Sequence, residues 1–505
     1  MDTISTLLLG LIIKYPFDCR EWFSYGKLRF VSGINPQSFS RELTPETHFD
    51  TPEAVLSYSS NGYGGLSRQL HSFIREHIVR GVWKRRPRPV LLNSWEACYF
   101  KIDERKLLQL AKAGADVGIE LFVMDDGWFS GRNDDTSSLG DWEPDPKKLP
   151  GGIASLSKKL KALGVDFGLW VEPEMISENS RLYQEHPDWA MMIPGHPHSE
   201  GRNQRLLDLS NPEVQQYVID SMTKVFSSGD IRYVKWDMNR NFSDIYSPYL
   251  PAAKQGETAH RYVLGLYHIM DELTTRFPEI LFEGCSSGGN RFDLGILSYF
   301  PQIWASDNTD ALCRTGIQNS YSYGYPLSVF TAHVSSCPNH QTLRITPLET
   351  RFQVASFGVL GYECNLKDLS GSDLNAIREQ IALYKKWRDV FQFGSFYRGA
   401  ENEASDSETL SWTCVSPDGR RAVGLFFRRL AVPNQSHDWY RPVGLLPDVK
   451  YHFYGRNIKY NLKDFGDLVN TVSPVHIKQG SALQEILSRF VNMDGEKEEL
   501  TAYGD

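Results

Sequence analysis

Between residues 93 and 310, carboxylates and tryptophans recur where short apolar runs end. The clusters are Trp95-Glu96, Asp125-Asp126-Gly127-Trp128, Trp170 with Glu172 and Glu174, Lys235-Trp236-Asp237, Glu283-Gly284-Cys285-Ser286 and Ser306-Asp307-Asn308. Carboxylates held in unlike environments divide into a proton donor and a nucleophile or base. Histidine is nearly missing from these ends; only His333 closes a run, which disfavours a metal hydrolase. Asn93-Ser94-Trp95-Glu96 is no glycine-rich phosphate loop, so nucleotide binding is weakly supported. Carboxylates with tryptophan and little histidine fit the cleft of a glycosidase.

Two positions carry most of this reading. At the two-residue period of a strand, Tyr233, Lys235 and Asp237 share a face. A Lys235 pointing inward needs an acidic or polar partner, and its charge holds a neighbouring Asp237 ionised, as a nucleophile requires. The same pair also reads as a structural ion pair. Asp307 ends a non-adjacent run; close to a second carboxylate its pKa rises, which suits a proton donor. Alternatively Asp307 makes a turn or helix cap ahead of Asn308-Thr309-Asp310.

The elements that would position these groups are eight strand-like runs: 89–97, 119–126, 165–174, 231–237, 280–286, 302–307, 326–333 and 357–363. Amphipathic segments separate them, and a last one, 372–391, follows. The alternation predicts an α/β fold, a (β/α)8 TIM barrel over 89–393, with a doubly wound open sheet as the alternative. Only the sixth connection, 311–325, lacks a clear period. Residues 394–505 alternate in short runs among turn signals such as Pro417-Asp418-Gly419 and predict an antiparallel β domain. Residues 1–62 predict β fragments. Residues 63–88 predict a linker with a helix over 66–82 and a solvated basic stretch over 80–88.

Composition agrees with a large globular enzyme. The chain has 505 residues, 41% hydrophobic, with a net charge of −8, so neither nucleic acid nor anionic lipid is an expected partner. The apolar run 7–13 is too short for a membrane helix and has no basic residue before it, so the expected location is the cytoplasm. The 7 cysteines are scattered without a CxxC pair, which disfavours a disulfide frame or zinc ribbon.

Several motifs resemble glycoside hydrolase family 36, the bacterial and fungal α-galactosidases. They are Asp125-Asp126-Gly127-Trp128, Ser199-Glu200-Gly201-Arg202-Asn203-Gln204, Lys235-Trp236-Asp237-Met238-Asn239-Arg240, the run 284–293 and Ser306-Asp307-Asn308-Thr309-Asp310. The resemblance implies a retaining hydrolase of terminal α-linked galactose that needs no metal or other cofactor. It implies Asp237 as nucleophile and Asp307 as acid/base. Asp125 and Asp126 would accept hydrogen bonds from O4 and O6. Lys235 would bind near O3 and O4, Trp170 would pack on the ring, and Trp95 and Arg202 would line the pocket. Cys285 and Gly288 would sit near C2. Ser287 and Asn290 depart from a common Cys-Ser-Gly-Gly-Gly form. The expected partners are small α-galactosides. The alternatives are an α-N-acetylgalactosaminidase, a galactosyl transglycosylase or a non-catalytic sugar-binding protein. The family usually begins with a longer β-sandwich, so residues 1–62 are expected to be its remnant. Strands there without partners predict association with other chains, as a homo-oligomer or an aggregate.

Overall fold

Eight short apolar runs form parallel strands that are buried almost throughout, as expected when helices cover a sheet from outside and side chains fill it from within. In the computed structural model they are β1 (Leu91–Asn93), β2 (Leu121–Met124), β3 (Asp166–Val171), β4 (Ile231–Trp236), β5 (Leu281–Gly284), β6 (Gln302–Trp304), β7 (Phe330–Ser335) and β8 (Val359–Glu363). They pair in sequence order and close, β8 on β1, into one barrel. The structure describes residues 6–11, 17–24, 27–399, 408–430, 438–456, 459–488, 490–495 and 498–504.

Helices α1 (Glu104–Val117), α2 (Gly152–Ala162), α3 (Pro212–Phe226), α4 (Thr258–Arg276), α5 (Leu294–Leu297), α6 (Ala311–Tyr321), α7 (Leu348–Ala355) and α8 (Gly371–Phe393) follow the strands in turn. Their ends are set locally. Asp103 caps α1 by accepting from the Lys106 amide, and Gly118, at φ +101°, ends it in the left-handed region. Asn211 caps α3, with Pro212 in the first turn.

The chain pattern mispredicts four features. The sixth connection contains a regular helix, α6. Its buried face carries Arg314, Thr315 and Gln318 beside Ala311, so no hydrophobic period marks it. The linker helix spans Gly62–Phe73 and closes in a wide turn at Ile74–Ile78; Val79 is extended and Gly81 has φ +65°, so it stops short of Val82. The basic stretch is not wholly solvated: Arg88 is buried, donating to the carbonyls of Arg86 and Pro301. The described part of the apolar run 7–13 is not unpartnered. Strand Thr6–Leu11 pairs antiparallel with Ala54–Ser59, while Ile12 and Ile13 lie outside the described residues.

A second antiparallel pair joins Phe17–Ser24 to Lys27–Ile34. After the barrel, Ser395–Arg398, Thr409–Val415 and Ala422–Arg428 form an antiparallel sheet, followed by two further strand pairs. Buried Trp412 ties this sheet to the barrel, packing on Phe357 and donating to Asn319 of α6 at 3.1 Å. Inside the barrel the floor is apolar, built from Leu91, Leu121, Val123, Tyr233 and Leu281. One residue pair further along the strands the inner face turns polar, and the candidate site begins. No helix among the described residues is long and apolar enough to cross a membrane.

Candidate active site

Lys235 follows Tyr233 on the inner face of β4, and its ammonium donates to Asp125 Oδ2 at 3.0 Å. Asn93, ending β1, donates to the same oxygen at 2.7 Å. Burial pushes the ammonium down, but Asp125 and the other anionic groups around it prevail and hold it well above its ordinary value. The mouth of the barrel therefore carries a permanent positive charge paired to one wall.

Asp237 lies just past β4 and is buried. Its Oδ2 accepts from the Trp170 indole at 3.1 Å and from Asn239 Nδ2 at 2.6 Å; its Oδ1 accepts from the Met238 amide at 2.8 Å. The Cys285 thiol stands against it, and burial followed by the charge of Asp237 raises that thiol well above its ordinary value. Such a cysteine stays a neutral thiol facing Asp237.

Asp307 follows β6. Its carboxyl opens to the mouth, where protein crowds around it, and accepts from the Trp304 indole at 2.9 Å. Burial, and then the negative charge of Asp237, raise its pKa above the usual aspartate range. Gly288 makes this placement possible: it sits at φ +87°, and a Cβ there would meet the Asp307 amide nitrogen at 2.9 Å.

The other predicted residues divide. Asp126 is buried and held by a bidentate pair with Arg132, which leaves a lone pair on each oxygen; burial raises its pKa against that pull. Trp170 is 2% exposed and turns its N–H to Asp237. Trp95 is half-buried, its ring edge against Tyr99 and Phe100. Arg202 stands exposed on the turn 201–204, at φ +55°, outside the hydrogen-bonded cluster. Arg240 anchors that turn by donating to the carbonyls of Gly201 and Gln204, so two of the sequence motifs are joined physically.

Acids at other strand ends do different work. Glu174 accepts from Arg291, Trp236 and Tyr262, a closed structural network. Glu283 lies inside the barrel, accepting from Gln302. Glu172 is fully buried, accepting from the Asn239 amide and from Gln204; burial and Asp237 push it up to about 8. Sequence reasoning missed Asn93, Asn239, Trp304, Arg314 and the pair His333–Glu363 at 2.8 Å. Asn239 was within reach of it, two residues beyond Asp237 in a quoted motif. The described residues contain no group of three or more His, Cys, Asp and Glu that could hold a metal ion.

A closed (β/α)8 barrel with unlike carboxylates at the C-terminal strand ends is the frame of a glycoside hydrolase site. The chain belongs to the melibiase family: the Melibiase family model matches residues 48–394, and the glycosyl hydrolase family 36 C-terminal domain matches 409–505. It is 47% identical to alpha-galactosidase AgaA of Geobacillus stearothermophilus over 86% of this chain and 59% of that protein. It is 46% identical to alpha-galactosidase 1 of Pediococcus pentosaceus over 84% and 58%. A crystal structure of an AgaA variant in complex with raffinose superposes with TM-score 0.86 at 45% identity, covering 89% of this chain and 62% of that one. The chain thus spans less than two thirds of these relatives.

Proposed function

We propose that the chain is a retaining α-galactosidase acting on terminal α-linked galactose of small oligosaccharides. The observation that carries this reading is the asymmetry of two carboxylates at one mouth. Asp237 is buried and accepts from N–H groups on both oxygens; Asp307 is open and raised towards its protonated form.

In this reading Asp237 attacks the anomeric carbon as Asp307 gives its proton to the leaving oxygen. The glycosidic bond breaks, and a β-linked galactosyl ester forms on Asp237. Asp307, now a carboxylate, takes a proton from water. The water oxygen displaces the ester, returning Asp237 and releasing α-galactose. Trp170 and Asn239 hold the nucleophile in line, and the Lys235–Asp125 pair supplies a donor and an acceptor for sugar hydroxyls. Asp126 adds a second carboxylate on that wall, suited to O4 and O6. A site built to meet an axial O4 rejects its epimer, because buried polar groups would be left unpaired. Trp95 and Arg202 line the outer pocket, and Cys285 and Gly288 border C2. The barrel over 89–393 is the catalytic unit and 394–505 supports it. The raffinose complex of the AgaA variant supports the substrate class.

The test is hydrolysis of p-nitrophenyl α-galactoside beside its N-acetylgalactosaminide and α-glucoside. The expected result is turnover of the galactoside alone. Preference for the N-acetyl substrate would reassign the sugar, and binding without turnover would leave a sugar-binding protein.

A further inference from the structure

We propose that Arg314 is a positioning residue for Asp307, clamping the backbone on both sides of the proposed proton donor. The inference rests on the acid/base reading of Asp307.

Arg314 lies on α6, the helix without a hydrophobic period, and is 3% exposed. Among the described residues no carboxylate stands within ion-pair distance of it. An unpaired buried cation is costly to keep, and an apolar side chain on that face would avoid the cost. All three guanidinium nitrogens are instead spent on carbonyls. Nε donates to Asn308 O at 2.7 Å, Nη2 to Ser306 O and Nη1 to Thr331 O on β7 at 3.2 Å. Ser306 and Asn308 are the residues either side of Asp307, so one rigid fork fixes both and ties them to the next strand.

The same guanidinium covers the Trp304 ring, 4.5 Å from its centroid. The Trp304 indole donates to the Asp307 carboxyl at 2.9 Å, the one side-chain hydrogen bond that carboxyl accepts among the described residues. Arg314 thus governs the residue twice, through its backbone and through the ring that orients its carboxyl. The Asp307 side chain is open to solvent at the mouth and has one donor, where Asp237 has three. Burial pushes the guanidinium down to about 10, against the pull of Asp307 and Glu363, so it still carries its charge across the working range of an enzyme. The charged and titratable groups acting on Asp307 are then Asp237, Lys235, Cys285, Glu363 and Arg314.

The experiment compares the full chain with R314K, R314M, W304F and D307A. It measures kcat/KM across pH on melibiose, whose leaving sugar needs a proton, and on p-nitrophenyl α-galactoside, whose leaving group does not. R314K keeps the charge and loses the fork. It should fall about tenfold or more on melibiose and at most about threefold on the aryl substrate, the scale of a misplaced catalytic group. R314M removes a cation from beside Asp307, so the alkaline limb should move to higher pH; W304F removes a donor from the carboxylate and should move it the same way. Equal losses on both substrates in R314K, or no loss, would overturn the proposal. If R314M does not fold, the R314K substrate split and the W304F limb decide. D307A separates the two levels: a split in D307A without one in R314K ends this inference alone, and no split in D307A ends the acid/base reading beneath it.

Discussion

The two walls of the barrel mouth hold the same residue type in opposite ways. On the β3–β4 side, Asp237 is sunk in the protein and each oxygen meets an N–H group: Trp170 and Asn239 on one, Met238 on the other. On the β6 side, Asp307 has one indole donor, an open carboxyl and a backbone clamped from beneath by Arg314. A saturated carboxylate stays where it is and offers an electron pair. An unsaturated one beside another negative charge holds a proton more readily and can exchange it with a leaving group or water. On the proposed reading, the role of each aspartate follows from the donors around it, and substitutions that remove or add donors should break the contrast.

The largest effect is expected at Asp237. D237G should lose about 10⁴-fold or more in kcat, or ~5.5 kcal/mol at 1.36 kcal/mol per tenfold. External azide should restore turnover of an activated galactoside and yield β-galactosyl azide. Residual activity above about a tenth of wild type would remove Asp237 from the nucleophile's place. Next comes Asp307. D307A should cost about 10²–10⁴-fold on melibiose and much less on p-nitrophenyl α-galactoside, read from kcat/KM on the pair; equal losses would make Asp307 a sugar-positioning group.

The β3–β4 wall also holds a buried acid. Glu172 titrates from the ordinary 4.5 when unfolded but is pushed up to about 8 when folded, by burial and then by Asp237. The folded state therefore binds the extra proton across that window, and this group's contribution to stability falls as pH rises from about 4.5 to about 8. Glutamine does not titrate, so the Tm of E172Q relative to wild type should climb over the same window, at roughly 1 °C per kcal/mol for a chain of this length. A constant difference in Tm would mean that Glu172 ionises as it does in water.

The smallest effect concerns Ser287, which holds φ +46°, a strained conformation for a residue with a Cβ. Its hydroxyl donates to Asn239 Oδ1 at 3.2 Å, turning the Asn239 amide nitrogen towards Asp237. S287G should relieve the strain, raising stability by about 1 kcal/mol, and loosen Asn239, lowering kcat about two- to fivefold. Denaturant melts and steady-state kinetics check both; an unchanged kcat would detach Ser287 from the nucleophile.

The barrel was legible because strands buried on two faces are apolar runs, and all eight runs became strands of one closed sheet. Helix α6 was not, since its buried face is built from Arg314, Thr315 and Gln318, which hydrophobic periodicity cannot register. At the site, Lys235, Asp237 and Asp307 stood out as charges at the ends of apolar runs. Asn239 and Trp304 did not, because an amide and a ring take their meaning from the partner they face. Glu172 and Glu174 were equal in sequence, two residues apart. Only the fold separates them, setting one against Asp237 and the other against Arg291.

In the proposed reaction the enclosed aspartate forms the bond and the open one moves the proton. Its most direct test uses D307A as a trap. With p-nitrophenyl α-galactoside the first step should proceed while the second stalls for want of a base. Rapid acid quench, proteolysis and mass spectrometry should then find one hexosyl group on the peptide carrying Asp237. A hexosyl group on another residue, or an unlabelled enzyme that releases β-galactose first, would contradict the account.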